Sequence, residues 1–225
     1  MRLSAIAILL ACSTLSAASL DEVLARMDQA AAGFHGVKAD VEYETYTAVI
    51  NDRSVEQGRM WMTRRTSKPQ DVRVHIEFTN PDPRHVGLSG AKAEMYLPKI
   101  NTVNEYDLRK QGDLVEKFLR FSFGTPGKDL AKDYDVKLVG EDEISGQKAA
   151  KLELVPKSAK ARERLLRVEL WVADTGGYPL RQKLYWPSGD THTITYSDVV
   201  INPNITDAEL ALPLPQGVKR AYPGR

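Results

Sequence analysis

The chain has 225 residues, 42% of them hydrophobic and 27% charged, with 31 Lys plus Arg against 30 Asp plus Glu. That length supports a substantial core, and the composition is too apolar for a disordered chain and too poor in cysteine, at one residue, for a disulfide scaffold. A charge balance so near neutrality argues against a dedicated nucleic-acid binder, which needs a basic excess to displace counterions.

The first element reads as an export signal over residues 1–18. Met1-Arg2-Leu3-Ser4 is a short basic start, Ala5 to Leu15 is an apolar run broken only by small residues, and Ser16-Ala17-Ala18 offers the small-x-small pattern of a cleavage site. The run is too short for a permanent span and polar sequence follows at once. Cleavage after Ala18 leaves 19–225 as a single domain without net charge or cysteine, held by core and sheet pairing rather than disulfides. Leu9-Leu10-Ala11-Cys12 also resembles a lipobox, which leaves open lipidation at Cys12 and anchoring in the outer membrane. The Leu at its second position and the short apolar run before Cys12 favour ordinary cleavage.

A helix follows. Ser19 is a candidate N-cap with Glu22 as its capping-box partner, and Leu20, Val23, Leu24, Met27, Ala31 and Phe34 share one face at helical spacing. From Val37 the period changes to two. Val41, Tyr43, Thr45, Thr47 and Val49 alternate with charged or small residues, Asn51-Asp52 turns the chain, and Gly58 to Arg64 forms the next strand.

The third strand is the clearest: Val72, Val74, Ile76 and Phe78 face one way, Arg73, His75 and Glu77 the other, and Asn80-Pro81-Asp82-Pro83 ends it. Further strands are expected near 84–89, 92–97, 101–108, 134–139, 148–155, 165–173, 179–186 and 191–201. Short turns between them predict an antiparallel sheet of about eleven strands with one apolar and one wet face. Helical spacing of Leu114, Val115, Phe118 and Leu119, then a helical turn over Pro126 to Lys132, interrupts the strands. The fold class is thus mainly β: one curved sheet, covered on its concave apolar side by the N-terminal helix and the mid-chain insert.

Catalytic signals are weak. His35, His75, His85 and His192 share no metal-ligand spacing, so neither a metal nor another cofactor is expected. Ser145-Gly146-Gln147-Lys148 matches Ser-x-x-Lys but falls in a hairpin turn, whereas enzymes using that motif place the Ser at a helix start. No nucleophile elbow, phosphate-cradling loop or dinucleotide fingerprint is present, and an enzyme is not expected. The basic stretch Lys157, Lys160, Arg162, Arg164 and Arg167 reads either as a solvated loop or as a surface for lipid headgroups or an acidic partner. An exported sheet with a covered apolar concavity points to binding something greasy.

Several segments in order carry a resemblance. They are Leu20-Asp21-Glu22-Val23-Leu24 after the signal, Gly58-Arg59-Met60-Trp61-Met62-Thr63-Arg64, Tyr96-Leu97-Pro98 with Tyr106, and Leu152-Glu153-Leu154-Val155-Pro156-Lys157. Leu170-Trp171-Val172, Gly177-Tyr178-Pro179, Thr193 to Asp198 and Pro213 to Val218 complete the set. Together they resemble the periplasmic carriers of outer-membrane lipoproteins, the LolA-like family. The resemblance implies an unclosed half-barrel with a helical lid that shelters acyl chains of lipoproteins, or another lipid, on the way to the outer membrane. An inner-membrane release complex and an outer-membrane acceptor would be its partners, with no nucleic acid and a monomeric state expected.

An acyl chain needs about 0.8 kcal/mol of shelter per CH₂. Leu24, Met27, Met60, Met62, Val72, Val74, Ile76, Phe78, Phe118, Leu152, Leu154, Val168, Leu170 and Val172 are the candidate cavity lining, or alternatively a dry core. The family's lid-latching Arg falls on Arg64, with Arg65 as an off-register neighbour. Well-studied carriers follow that Arg with Pro and then a docking Phe; the run from Arg65 to Pro69 has no Pro at the matched place and no aromatic, which leaves the handover partner open. A lipoprotein-binding stress sensor of the same fold is the other alternative.

Overall fold

The computed structural model describes residues 18–64, 71–108 and 121–223. Residues 1–17 of the signal segment, with Cys12, and the spans holding Arg65 and Leu114 to Leu119, Phe118 among them, lie outside those residues.

Helix α1 runs Leu20–Ala32, opened by the capping box of Ser19 and Glu22; it buries Val23 and Met27 and ends before Phe34, which the helical spacing had included. Strands β1 (Gly36–Thr47) and β2 (Asp52–Arg64) form the longest hairpin, followed by β3 (Val72–Asn80), β4 (Arg84–Ser89), β5 (Lys92–Leu97) and β6 (Thr102–Asp107). Helix α2 (Gly127–Asp133) precedes β7 (Tyr134–Ile144) and β8 (Gln147–Pro156). A short helix α3 (Ala159–Arg162) leads to β9 (Arg167–Ala173), β10 (Pro179–Tyr185) and β11 (Thr191–Ile201), then α4 (Asp207–Leu210) and β12 (Lys219–Ala221).

In the described residues, twelve strands make one sheet in the order β12-β6-β5-β4-β3-β2-β1-β11-β10-β9-β8-β7. Its two end strands do not pair, so the sheet is an unclosed half-barrel. Every neighbour pair is antiparallel except β12 against β6, which is parallel. The expected curved antiparallel sheet of about eleven strands is thus present with twelve, its one parallel pair at the β12 end. A hairpin forces antiparallel pairing, whereas β12 arrives by a long crossing of the outer face and is free to pair either way.

The crossing also corrects the expected wet outer face. After β11, Asn202 accepts from the backbone of His35 at 2.7 Å and donates to Gly33 O at 2.8 Å. The tail then lays Ile205 near Gly36, α4 over β2 and β3, and Leu212 onto Gly87, where an added Cβ would meet the Leu side chain at 3.1 Å. Beneath it His75 is buried, with Trp61 stacked on one side at 5.2 Å, Nδ1 2.7 Å from Glu209 O, and Nε2 3.1 Å from His85 Nδ1. Lys38 on Glu209 and Arg73 on Asp207 pin the strap at its edges. The Lys38 ammonium and the Thr206 cap hold the Glu209 carboxyl down to about 2.

Burial, reinforced by the charge of His75 and opposed by Glu77, lowers the His85 pKa. Burial, opposed by Asp190, lowers that of His192, which faces Tyr43 and Trp186. The folded protein therefore binds these protons less readily than the unfolded chain. Their contribution is complete above about pH 6.5 and is lost as pH falls below it. Thermal melts should show Tm declining from about pH 6.5 downward, and His85→Gln with His192→Gln should flatten that limb. An equally steep limb in the double variant would refute this assignment.

One glycine fixes a close approach. At the β2 bulge opposite Phe78, a Cβ on Gly58 would sit 2.1 Å from the Glu77 carbonyl oxygen. Gly58→Ala must displace β3, so it should cost about 2 kcal/mol and lower Tm by about 6 °C. Calorimetry on the variant checks this.

Candidate functional site

Alternation points Met60 and Met62 of β2 and Val72, Val74, Ile76 and Phe78 of β3 to the inner face. There they are buried with Val37, Ala39, Val41, Ile194 and Tyr196. Leu152 and Leu154 of β8 and Val168, Leu170 and Val172 of β9 form a second buried cluster with Met27 of α1 and Leu130 of α2, against which Leu24 packs half-buried. The apolar residues singled out from the sequence thus occupy one face of the half-barrel in two clusters. Both lie under a cover made of α1, residues 121–126 and α2.

The sequence reading passed over the segment that plugs both clusters. Phe121 enters the second, edge-on to Tyr134 at 5.3 Å. Phe123 enters the first, T-shaped on Tyr196 at 4.9 Å and stacked near Phe34 at 6.3 Å and Tyr178 at 6.0 Å. Both rings are fully buried. Ser122 between them points Oγ at Met62 Sδ, 3.7 Å away. Residues 121–124 form turns rather than a helix or strand, so no periodicity marks either ring as buried. Gly124 has φ +72°, and a Cβ there would lie 2.3 Å from the Phe34 ring, so glycine alone suits the position.

Arg64 continues the inward register of Met60 and Met62 at the end of β2. Its Nη1 donates to Gly124 O at 3.0 Å, and its backbone N–H bonds His35 O at 2.9 Å. The side chain is half-buried, which lowers its pKa, and a guanidinium stays charged regardless. Nε is buried with no hydrogen-bond partner among the described residues. The guanidinium thus ties β2 to the backbone of the segment that bears Phe121 and Phe123 by a bond from a charged donor.

Among the described residues, further polar contacts of the cover lie at its margins. Arg26 of α1 meets Asp174 in the β9–β10 turn at 3.3 Å, and Asp28 accepts from the Lys128 backbone at 3.1 Å. Gly127 lets α2 touch α1, since a Cβ would lie 2.7 Å from Leu24 O. Inside, Gln182 donates to the Tyr196 hydroxyl at 2.9 Å and its carbonyl oxygen is unpaired among the described residues; burial pushes the Tyr196 pKa up. Such an interior offers apolar surface and a little hydrogen bonding. Among the described residues no three His, Cys, Asp or Glu side chains converge in a metal-binding group, and no helix is long and apolar enough to cross a membrane. His75 and His85, unremarkable in sequence, meet as a pair under the strap rather than in the interior.

No protein-family model and no curated protein sequence matches the chain. Solved structures do match in backbone. MucB gives a TM-score of 0.54 at 18% identity over 86% of this chain and 62% of its own; its Pseudomonas aeruginosa complex with MucA gives 0.50 at 17% identity, over 86% and 60%. The chain therefore spans about three fifths of MucB. An uncharacterized conserved protein from Thermus thermophilus gives 0.54 at 16% identity, covering 90% of this chain and 98% of that one. LprF from Mycobacterium bovis gives 0.50 at 12% identity, over 87% and 97%. The chain is thus similar in fold to MucB and LprF, and that fold is an unclosed half-barrel under a helical cover.

Proposed function

We propose that the protein is an exported carrier, acting in the periplasm after removal of residues 1–18, that shelters acyl chains of lipoproteins or other lipids beneath its cover. The observation that carries this reading is the double plug. Phe121 and Phe123 fill two apolar clusters on one sheet face, and the half-buried Arg64 bonds the segment bearing them at Gly124 O. Withdrawing the plug would expose the faces of β2, β3, β8 and β9, a surface of the length and chemistry that an acyl chain requires. Leu24, Met27, Met60, Met62, Val72, Val74, Ile76, Phe78, Leu152, Leu154, Val168, Leu170 and Val172 then line the site, and the methionines adapt to different chains. Arg64 acts as the latch. The reaction is transfer without covalent chemistry.

Mass spectrometry of lipids extracted from protein purified out of its native envelope tests the reading. Co-purifying lipid or lipoprotein supports it; protein that never carries either overturns it. The likeness to MucB, which has been crystallised with the protein MucA, favours one second reading, a sensor that binds a lipoprotein and signals through a protein partner. Tight lipid binding without transfer to acceptor membranes would select that role. A diacylglyceryl group found on Cys12 by intact mass would instead make the protein an anchored receptor.

A further inference from the structure

Tracing strand directions places the turns 48–51, 81–83, 98–101, 157–166 and 186–190 at one edge of the half-barrel. Two of them are built alike. Ala48–Ile50 and Pro98–Ile100 are single 3-10 turns, each closed by an asparagine in the left-handed region whose N–H bonds the first carbonyl, Asn51 to Ala48 and Asn101 to Pro98. Each holds an isoleucine out to water: Ile50 is 68% exposed beside Val49 at 88%, and Ile100 is 60% exposed. Leu166, 46% exposed, joins them from the β8–β9 connection.

The tips are held in place. Asp190 accepts from the Ala48 backbone at 2.8 Å, and Lys99 pairs with Asp82 of the neighbouring turn. Next to Leu166 lies the basic stretch, where Lys157, Lys160, Arg162 and Arg164 stand against one acid, Glu163. The hairpin turns at the opposite edge, Gly90-Ala91, Ser145-Gly146 and Asp174 to Gly177, carry no large apolar residue.

We infer that this edge docks on the surface of an anionic phospholipid bilayer. Isolated apolar tips on separate turns suit a headgroup layer, into which each inserts independently. A protein interface would instead need them merged into one contiguous apolar centre. The adjoining cations supply attraction to the negative surface, each basic residue strengthening binding about fivefold. The inference is independent of what occupies the interior.

Vesicle co-sedimentation of the protein purified from the exported fraction tests it, with phosphatidylglycerol in phosphatidylcholine against phosphatidylcholine alone. Binding should require the anionic lipid and weaken with salt. Val49→Ser with Ile50→Ser should lower the partition about tenfold, and Lys160→Gln about fivefold. All three positions are solvent-facing turn residues, so unchanged thermal melts will show that the variants fold. Val200→Ser, at an exposed site toward the opposite edge, should leave binding unaltered. Absence of vesicle binding, equal binding by the Val49/Ile50 variant, or equal loss in Val200→Ser would each overturn the inference. So would capture of a protein partner by this edge without any vesicle binding.

Discussion

Replacing Phe123 with alanine should lower the melting temperature of the ligand-free protein by about 10 °C and, in the same variant, enlarge the stabilisation given by an added fatty acid. The ring is fully buried and meets Tyr196, Phe34 and Tyr178. Truncating such a Phe costs about 3–5 kcal/mol, and a protein of this size loses about 2–4 °C per kcal/mol. A residue that only packs a dry core would show the loss alone. A plug shows both effects, because the vacated volume becomes binding space and ligand no longer has to expel the ring. Differential scanning calorimetry with and without palmitate decides between them. A ligand-induced shift no larger than in the parent protein would remove Phe123 from the binding site and leave it in the core.

Arg64→Leu should slow release of a bound acyl chain by about tenfold or more. A bound acyl chain and the plug segment would compete for the same apolar face. In the structure Arg64 donates to Gly124 O at 3.0 Å; under the proposed carrier function, an acyl chain would displace the plug segment and break that bond. A hydrogen bond from a charged donor contributes about 1.5–3 kcal/mol, which here favours expulsion. Leucine supplies no such bond and puts apolar surface in place of the half-buried guanidinium. Stopped-flow transfer of a fluorescent fatty acid to acceptor vesicles measures the rate. Arg64→Lys should recover part of it through a single ammonium contact. Parental release in Arg64→Leu would show that the contact fastens the cover without taking part in unloading.

Much of the architecture was legible because alternation is a strong signal. The inward sets on β2, β3, β8 and β9 could be read from period two, and the capping box at Ser19 and Glu22 from four residues. Arg64 was reachable through the resemblance and through register, since it continues the inward positions of Met60 and Met62. The plug was not. Phe121 and Phe123 stand in a segment without regular structure, where no period announces a buried ring, and attention went to the helical spacing just before them. The outer face was misread for a related reason. His75 looked wet because it alternates with Val74 and Ile76, yet a tail from more than a hundred residues later lies across it.

By itself, then, the sequence determined which side chains share a strand face, where the chain turns, and that one face is continuously apolar, because these follow from local backbone geometry. Only the tertiary structure decided what covers each face: the Phe121 and Phe123 plug inside, the C-terminal strap outside, and the exposed isoleucine tips left uncovered at one edge. Those are contacts between distant segments, and a pattern of period two carries no information about which segment arrives to bury it.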